Sequence, residues 1–416
     1  MTSATLPNLS KENRELVRDF LIFATLFFVL ITISYFATIS WVDPIPRDRT
    51  TLVVGRDFLN FWMYGRAAAS AEPSLFYDPQ AYNTVLFAML GNDYPGQNWS
   101  YPPSLMLLAA PFGQLSYLTA LSVWTVMGLL ILIPVARRQL NDPRLLLALF
   151  FSPAAMFCLM SGQSSFITAA MLITIFIWLD RRPLLAGVLI GCLTLKPQLG
   201  LLFPIMLAAS GRWRVFASAS VTTMVIVAIT TVLFGPQMWI DFVLKGLPVQ
   251  NNMVLADPEF VATPFYPTIF MNVRGTGASY AVAMVVQLFF SAFAVAAVAW
   301  AFRCRKQADP HLLLALFLAC SICASPYLLA YDVLPLTFAA LLLLDRDKLD
   351  GPGRRLAQLV YWLPLLQIGL GMVHIPGPAL VPACFAVYLL FRLEAMPAAV
   401  EAMSSWLRLK RPRPLI

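Results

Sequence analysis

The sequence predicts an all-helical integral membrane protein with about twelve transmembrane helices. Hydrophobic residues make up 59% of the 416 positions and charged residues only 12%, whereas soluble domains are about 25% charged. The apolar residues also form uncharged blocks long enough to cross a bilayer. Such blocks must be helices, because a helix satisfies its own backbone hydrogen bonds in lipid.

Uncharged blocks mark the predicted spans in chain order. Five blocks have the length of one span: Phe20–Val42, Val215–Phe234, Ser279–Phe302, Leu312–Tyr331 and Leu356–Val373. We interpret the first as a retained span, since it is longer than the core of a signal peptide. Two further uncharged runs, 99–136 and 145–179, are too long for one span, so each needs an internal break.

Glycine, proline and polar residues predict where the helices break. The 145–179 run is expected to turn at Ser161–Gly162–Gln163. A pair of short helices, 184–195 and 198–209, is expected to meet at Lys196–Pro197–Gln198, and a further break is expected at Ser325–Pro326.

Two long polar segments, residues 43–101 and 235–278, interrupt the apolar blocks. Within the first we expect a helix over 57–71 and an amphipathic helix near 80–90. Its many aromatic residues are typical of an interfacial belt, although they could also stack on sugars. They are Phe58, Phe61, Trp62, Tyr64, Phe76, Tyr77 and Tyr82.

Basic residues predict the orientation of the chain. Of the 29 Lys and Arg, 22 lie in residues 1–19, 137–144, 180–183, 211–214, 303–311, 345–355 and 392–416. By the positive-inside rule these segments are cytoplasmic, and the two long polar segments lie outside. The predicted organisation is a cytoplasmic N-terminus (1–19), a membrane domain (20–391) and a basic tail (392–416). The net charge of +8 thus reflects topology and predicts no nucleic-acid partner.

Several function classes lack their sequence signals. No Walker or dinucleotide-binding motif occurs, which argues against an ATP-driven pump. The six cysteines avoid both outer segments, so we expect no disulfide framework. With only two histidines, a histidine-rich metal site is excluded, and we expect neither metal nor cofactor.

Three charged residues near the predicted outer face are candidates for function, because charge at membrane depth is usually functional. Asp57 begins the first outer helix, where it could act as a base or merely cap the helix. Lys196 is the only charge in residues 183–210, and the alternative to a functional role is a lysine that snorkels to the membrane surface. Asp332 is either buried and paired or faces a polar cavity.

Six motifs in order resemble those of glycosyltransferase family 87, within the GT-C class. The resemblance extends from about residue 20 to 345. The motifs are DFLNFWMYGRAA from Asp57, LFYD from Leu75, YPP from Tyr101, GQ at Gly162, LKPQ from Leu195 ahead of GRWR from Gly211, and SP at Ser325 followed by Tyr331.

The resemblance implies a GT-C-like inverting glycosyltransferase of the cell membrane, with its active site facing the periplasm or exterior. It implies a polyprenyl-phosphate-linked sugar donor, commonly of mannose, a lipid or glycan acceptor, and contact with membrane lipids. Asp57 matches the family's acid and would be the general base. The family often has histidine after its Ser-Pro break, where this chain has Tyr331 and Asp332.

The other site residues are assigned from this combination of motif and position. Lys196 and Arg274 are candidate ligands of the donor phosphate. Candidate substrate contacts are Asn60, Tyr101, Gln163, Gln198, Tyr331 and Asp332. A lipid-linked-sugar flippase or secondary transporter would use the same charged cavity and is the main alternative; a non-catalytic scaffold is the third.

Overall fold

A computed structural model describes residues 9–41, 44–249, 263–305 and 308–394. Within these residues the regular structure is helical, and the only β interactions are isolated bridges that join Arg47 to Ser40 and Val53. The all-helical prediction is confirmed for this part of the chain.

Eighteen helices, numbered here in chain order, form the described structure. They are α1 Lys11–Phe36, α2 Phe58–Ala67, α3 Pro79–Leu90, α4 Ser104–Ala109, α5 Tyr117–Gln139, α6 Pro143–Phe150, α7 Pro153–Ser161, α8 Ser165–Trp178, α9 Pro183–Cys192, α10 Phe203–Ser210, α11 Trp213–Phe234, α12 Gln237–Asp241, α13 Ile269–Gly275, α14 Tyr280–Cys304, α15 Pro310–Ala324, α16 Leu334–Asp345, α17 Gly351–Gly371 and α18 Gly377–Glu394.

Acidic caps and first-turn prolines start several of these helices. Asp78, Asp142 and Asp309 each accept a hydrogen bond from a first-turn N–H, and each is followed by proline. Proline suits this position because its missing N–H would have no partner inside the helix, and the carboxylate satisfies a neighbouring N–H. Local sequence therefore determines where these helices begin.

Five described helices are long and apolar enough to cross a membrane: α1, α5, α11, α14 and α18. The pair α6–α7, bent by 47°, counts as a sixth if taken as one broken span. Shorter apolar helices lie at 165–178, 183–195, 197–210 and 310–324. Membrane insertion through several helices is thus supported, while the total of about twelve spans stays a prediction.

Two predicted spans have different bounds in the structure. The first helix runs from Lys11 to Phe36 rather than from Phe20, because Ser10 caps it and its first turns pack against the protein. The 145–179 run turns at Gly162, as predicted, and breaks a second time before Pro153. Proline cannot continue a helix from the preceding turn, and the Ser152 side chain caps the new one.

The helix pair around Lys196 is broken as the sequence predicted. A 3₁₀ turn, Leu193–Leu195, ends α9, and a second, Pro197–Gly200, leads towards α10. Lys196 lies between them with φ of −145°, outside helical geometry. The break directs its side chain into the protein, where it is 2% exposed.

Segments predicted to be cytoplasmic contact one another. Asp345, at the end of α16, accepts a hydrogen bond of 2.9 Å from the backbone N–H of Asn141. Lys348 forms an ion pair of 2.9 Å with Asp309. Three loops assigned to the same side by charge therefore meet at one end of the helices.

Candidate active site

Asp57 lies within the first outer segment, in a tight turn immediately before α2. The turn places Gly55 and Arg56 at positive φ, 80° and 35°, a conformation that non-glycine residues rarely adopt. Asp57 itself is helical, and its side chain makes no capping hydrogen bond to α2. The Asp57 carboxylate therefore does not cap α2 through a hydrogen bond.

The Asp57 carboxylate instead accepts hydrogen bonds from two distant parts of the chain. Its Oδ2 accepts one from Gln163 Nε2 and one from the Tyr331 hydroxyl, both at 3.0 Å. Gly162 makes this approach possible: a Cβ there would lie 2.5 Å from the Cβ of Phe58. The α7–α8 turn can therefore reach Asp57 only with glycine at this position.

Gln163 connects the members of the cluster. Its Nε2 also donates to the Tyr101 hydroxyl at 3.0 Å, and its Oε1 accepts from the Ser164 backbone N–H at 3.2 Å. Lys196 Nζ lies 3.5 Å from the same Oε1. Because donors surround Oε1, the NH₂ group of the amide faces the carboxylate of Asp57.

Lys196 and Asp332 form a buried ion pair behind this amide. Lys196 Nζ lies 2.6 Å from Asp332 Oδ1, and each side chain is only 2% exposed. Asp332 also accepts hydrogen bonds from Ser165 Oγ and the Leu329 backbone N–H. Asp332 is therefore buried and paired, and the snorkelling alternative for Lys196 is wrong. Sequence reasoning missed Ser165, since a serine in an apolar helix carries no distinguishing signal.

The ammonium of Lys196 also lies 4.8 Å from the ring centre of Tyr331. A cation over the face of an aromatic ring is attracted to its electron-rich surface. One lysine thus contacts both residues that donate to Asp57, namely Gln163 through its Oε1 and Tyr331 through its ring.

Burial raises the pKa of Asp57 above its ordinary value, although the hydrogen bonds from Gln163 and Tyr331 offset part of the rise. Burial disfavours the charged carboxylate, while donors to that carboxylate favour it. A raised pKa makes the carboxylate a stronger proton acceptor than an exposed aspartate.

Three of the nine predicted site residues lie outside this hydrogen-bond network. Asn60 accepts from the Tyr82 hydroxyl at 2.6 Å and donates to a backbone carbonyl, which gives it a role in packing. Gln198 is half-buried in a 3₁₀ turn. Arg274, on α13, donates to the Ala278 carbonyl at 2.8 Å.

The aromatic residues of the first outer segment form a core rather than an interfacial belt. Six of the seven named above are at most 5% exposed. The hydroxyls of Tyr64 and Tyr77 both donate to the Tyr101 carbonyl at 2.7 Å, and Trp99 stacks on Tyr64 with ring centres 3.5 Å apart. This core holds Tyr101 in place against Gln163.

The comparison with protein families gives one match. A sequence model described as glycosyltransferase family 87 matches residues 99–331, more than half of the chain. The chain belongs to glycosyltransferase family 87. No curated protein and no solved structure gives a significant match. This family 87 member is therefore a membrane glycosyltransferase, which favours the transferase over the flippase and scaffold alternatives.

The family match covers part of the cluster. It includes Tyr101, Gln163, Lys196 and Tyr331, and it is shorter than the motif resemblance from about residue 20 to 345. Asp57 lies outside it, so its place in the site rests on the two hydrogen bonds that join it to matched residues. Within the described residues, no group of three or more His, Cys, Asp or Glu is arranged to hold a metal ion.

Proposed function

We propose that this glycosyltransferase transfers a hexose, in the first instance mannose, from a polyprenyl-phosphate donor to a hydroxyl of a lipid or glycan. The reaction takes place on the non-cytoplasmic side of the cell membrane, with Asp57 as general base. The observation that carries this proposal is the asymmetry of the Asp57 carboxylate. Both of its hydrogen bonds go to Oδ2, and no described residue donates to Oδ1.

The open oxygen suits an acceptor hydroxyl. Asp57 is partly exposed, so a hydroxyl can approach Oδ1 while Gln163 and Tyr331 hold Oδ2 in place. The hydroxyl proton passes to Oδ1 as its oxygen bonds to the anomeric carbon. The bond from that carbon to the phosphate oxygen breaks, and the polyprenyl phosphate leaves with the electron pair. Proton abstraction by a positioned base contributes about 10²–10⁴ in rate.

One accessible carboxylate suits an inverting reaction. A retaining mechanism of the usual kind needs a second carboxylate as nucleophile. The nearest candidate in the cluster, Asp332, is 2% exposed and bound to Lys196. Its charge is neutralised and its oxygens are taken by donors, so direct displacement by the acceptor is the chemistry that the geometry favours.

We propose Lys196 and Arg274 as contacts of the donor phosphate, which gains negative charge as the glycosidic bond breaks. Lys196 is linked to Asp57 through Gln163, which supports a position near the leaving group. Its ammonium is bound to Asp332, so a phosphate would compete with that carboxylate. Arg274 lies within the second outer segment, near its end, and can approach the donor from there.

The test is sugar transfer by purified protein in detergent, with a polyprenyl-phosphate-mannose donor and an extract of membrane lipids as acceptor. We expect a new glycosidic bond of inverted anomeric configuration. Asp57→Asn, which keeps the size of the side chain but is a poor proton acceptor, should lower the rate at least about a hundredfold. Near-normal turnover of Asp57→Asn would refute the general-base assignment. Transport of donor across vesicles without any transfer would restore the flippase alternative.

A further inference from the structure

A second basic site lies at the opposite, predicted cytoplasmic end of the molecule. An open cleft of about 600 Å³ is lined by Arg182, Pro183, Leu184, Leu185 and Arg214. It lies where α9 and α11 begin, so two loops assigned to the cytoplasmic side by their charge form its rim. None of these lining residues belongs to the Asp57 cluster.

The cleft carries positive charge that the described protein does not neutralise. Asp180 is the only acidic residue in residues 180–214, and it is bound to Arg212 at 2.9 Å. Arg182 contacts the Trp178 ring at 5.7 Å, and the described residues offer no acidic partner to Arg182 or Arg214. Two exposed guanidinium groups therefore face the cleft, and guanidinium binds phosphate in a bidentate manner.

Apolar side chains continue from the arginines along the outside of the helices. Leu184 is 63% exposed, Leu185 44% and Trp213 62%. Tryptophan is enriched where a membrane meets water, so this pattern marks the level of lipid headgroups. A soluble anion would use the arginines alone, whereas a lipid would use the arginines and the leucines.

The pairing of α9 with α11 keeps the two arginines together. Gly187 allows close contact, since a Cβ there would lie 2.5 Å from the Cβ of Ser218. Ser218 Oγ also donates to the Leu184 carbonyl at 2.8 Å. The cleft is therefore formed by packed helices and does not depend on loop conformation alone.

We propose that this cleft binds one anionic phospholipid of the cytoplasmic leaflet. Arg182 and Arg214 contact the phosphate, and an acyl chain lies along Leu184 and Leu185. Basic pockets between transmembrane helices on this side of a membrane bind anionic headgroups. The site is independent of the proposed transferase chemistry.

Native mass spectrometry of the detergent-purified full chain, titrated with phosphatidylglycerol or phosphatidylcholine, tests this proposal. Each arginine near a membrane surface contributes about a fivefold factor to anionic-lipid binding. The Arg182→Gln/Arg214→Gln variant should therefore bind phosphatidylglycerol at least about tenfold more weakly. The matched control, Arg137→Gln/Arg138→Gln, removes two exposed arginines from the end of α5 and should bind like the wild type.

Three results would overturn the proposal. One is unchanged phosphatidylglycerol binding by the cleft variant, and another is an equal loss in the control, which would indicate nonspecific charge. The third is a rise in melting temperature with inorganic phosphate as large as the rise with phosphatidylglycerol, which would indicate that the cleft binds a soluble anion. All the exchanged arginines are exposed, so both variants should keep the wild-type melting temperature without lipid, which separates lost binding from lost folding.

Discussion

Gln163 determines how the Asp57 carboxylate is presented. Its NH₂ group binds Oδ2 of Asp57, and its carbonyl oxygen is held by the Ser164 N–H and by Lys196. A rotated amide would place oxygen against oxygen at Asp57, so the donors around Oε1 select the productive orientation. Ser164 and Lys196 can therefore control how the base is presented without contacting Asp57 themselves.

Tyr331 should tune the pH dependence of transfer. Its hydroxyl stabilises the charged form of Asp57 and so lowers a pKa that burial has raised. Tyr331→Phe removes this donor, so the pKa should rise further and the acid limb of the pH–rate profile should move to higher pH. Tyr280→Phe, at the exposed start of α14, should leave the profile unchanged. An acid limb that stays in place in Tyr331→Phe would contradict Asp57 as the titrating base.

The Lys196–Asp332 pair should behave as a unit in unfolding experiments. Lys196→Met leaves Asp332 buried without its counter-charge, which should lower the free energy of unfolding by about 3–5 kcal/mol. The Lys196→Met/Asp332→Asn double variant should recover most of this loss, because the asparagine carbonyl can accept from the Leu329 N–H while its NH₂ group donates to Ser165 Oγ. Denaturant unfolding in detergent measures the free energy of unfolding of the single and the double variant. Additive losses in the double variant would show that the two residues do not interact.

Donor titration of the stable double variant tests the proposed phosphate contact. If Lys196 binds the phosphate, the KM for the donor should rise and kcat should fall. A fall in kcat at constant donor KM would leave Lys196 as a positioning residue that acts through Gln163 and Tyr331.

Close packing of α2 against the residues after α4 positions Asp57. Gly65 lies against Gly113: a Cβ on Gly65 would be 2.3 Å from the Ala109 carbonyl oxygen and 2.6 Å from the Gly113 nitrogen. Both contacts are with backbone, which cannot move aside as a flexible side chain would. The helix that carries Asp57 is therefore fixed by two glycines.

Gly65→Ala should displace α2 and so reduce both stability and transfer. We expect destabilisation by about 1–3 kcal/mol, as for other overpacked sites, with a loss of activity larger than the loss of folded protein. Gly369→Ala in α17, where a Cβ meets nothing within 4 Å, is the matched control and should be neutral or slightly stabilising. Melting temperature and transfer rate measure both effects. A fully active, stable Gly65→Ala would show that this packing does not position Asp57.

The whole molecule should have its Asp57 end outside and its Asp345 end inside. The prediction rests on the distribution of the basic residues: 22 lie in the segments predicted to be cytoplasmic and seven lie elsewhere. Single cysteines at Asn92 and Asp350, both exposed, in a chain whose native cysteines are replaced by serine, can be labelled in intact cells. A membrane-impermeant reagent should modify the first and spare the second. The reverse pattern would place Asp57 and the proposed reaction in the cytoplasm.

Helix breaks could be predicted because their causes are local. Proline, glycine and capping side chains act within one turn of the chain, so the breaks at Gly162 and Lys196 follow from nearby residues. The extra break before Pro153 has an equally local cause in Ser152 and Pro153, which our prediction overlooked. The early start of α1 was missed because charge marked Lys11 as cytoplasmic, while contacts with the rest of the protein extend the helix to it.

Sequence alone determined that this chain is helical, enters a membrane and carries its candidate functional charges near two helix breaks, because composition, hydrophobic length and turn residues act over short distances. Only the tertiary structure decided which partners those charges contact. It binds Lys196 to Asp332, leaves one Asp57 oxygen open, and buries aromatic residues that resembled an interfacial belt. The contacts of Asp57 with Gln163 and of Lys196 with Asp332 join residues more than a hundred positions apart, and no local pattern specifies which partner a buried charge finds when the helices pack.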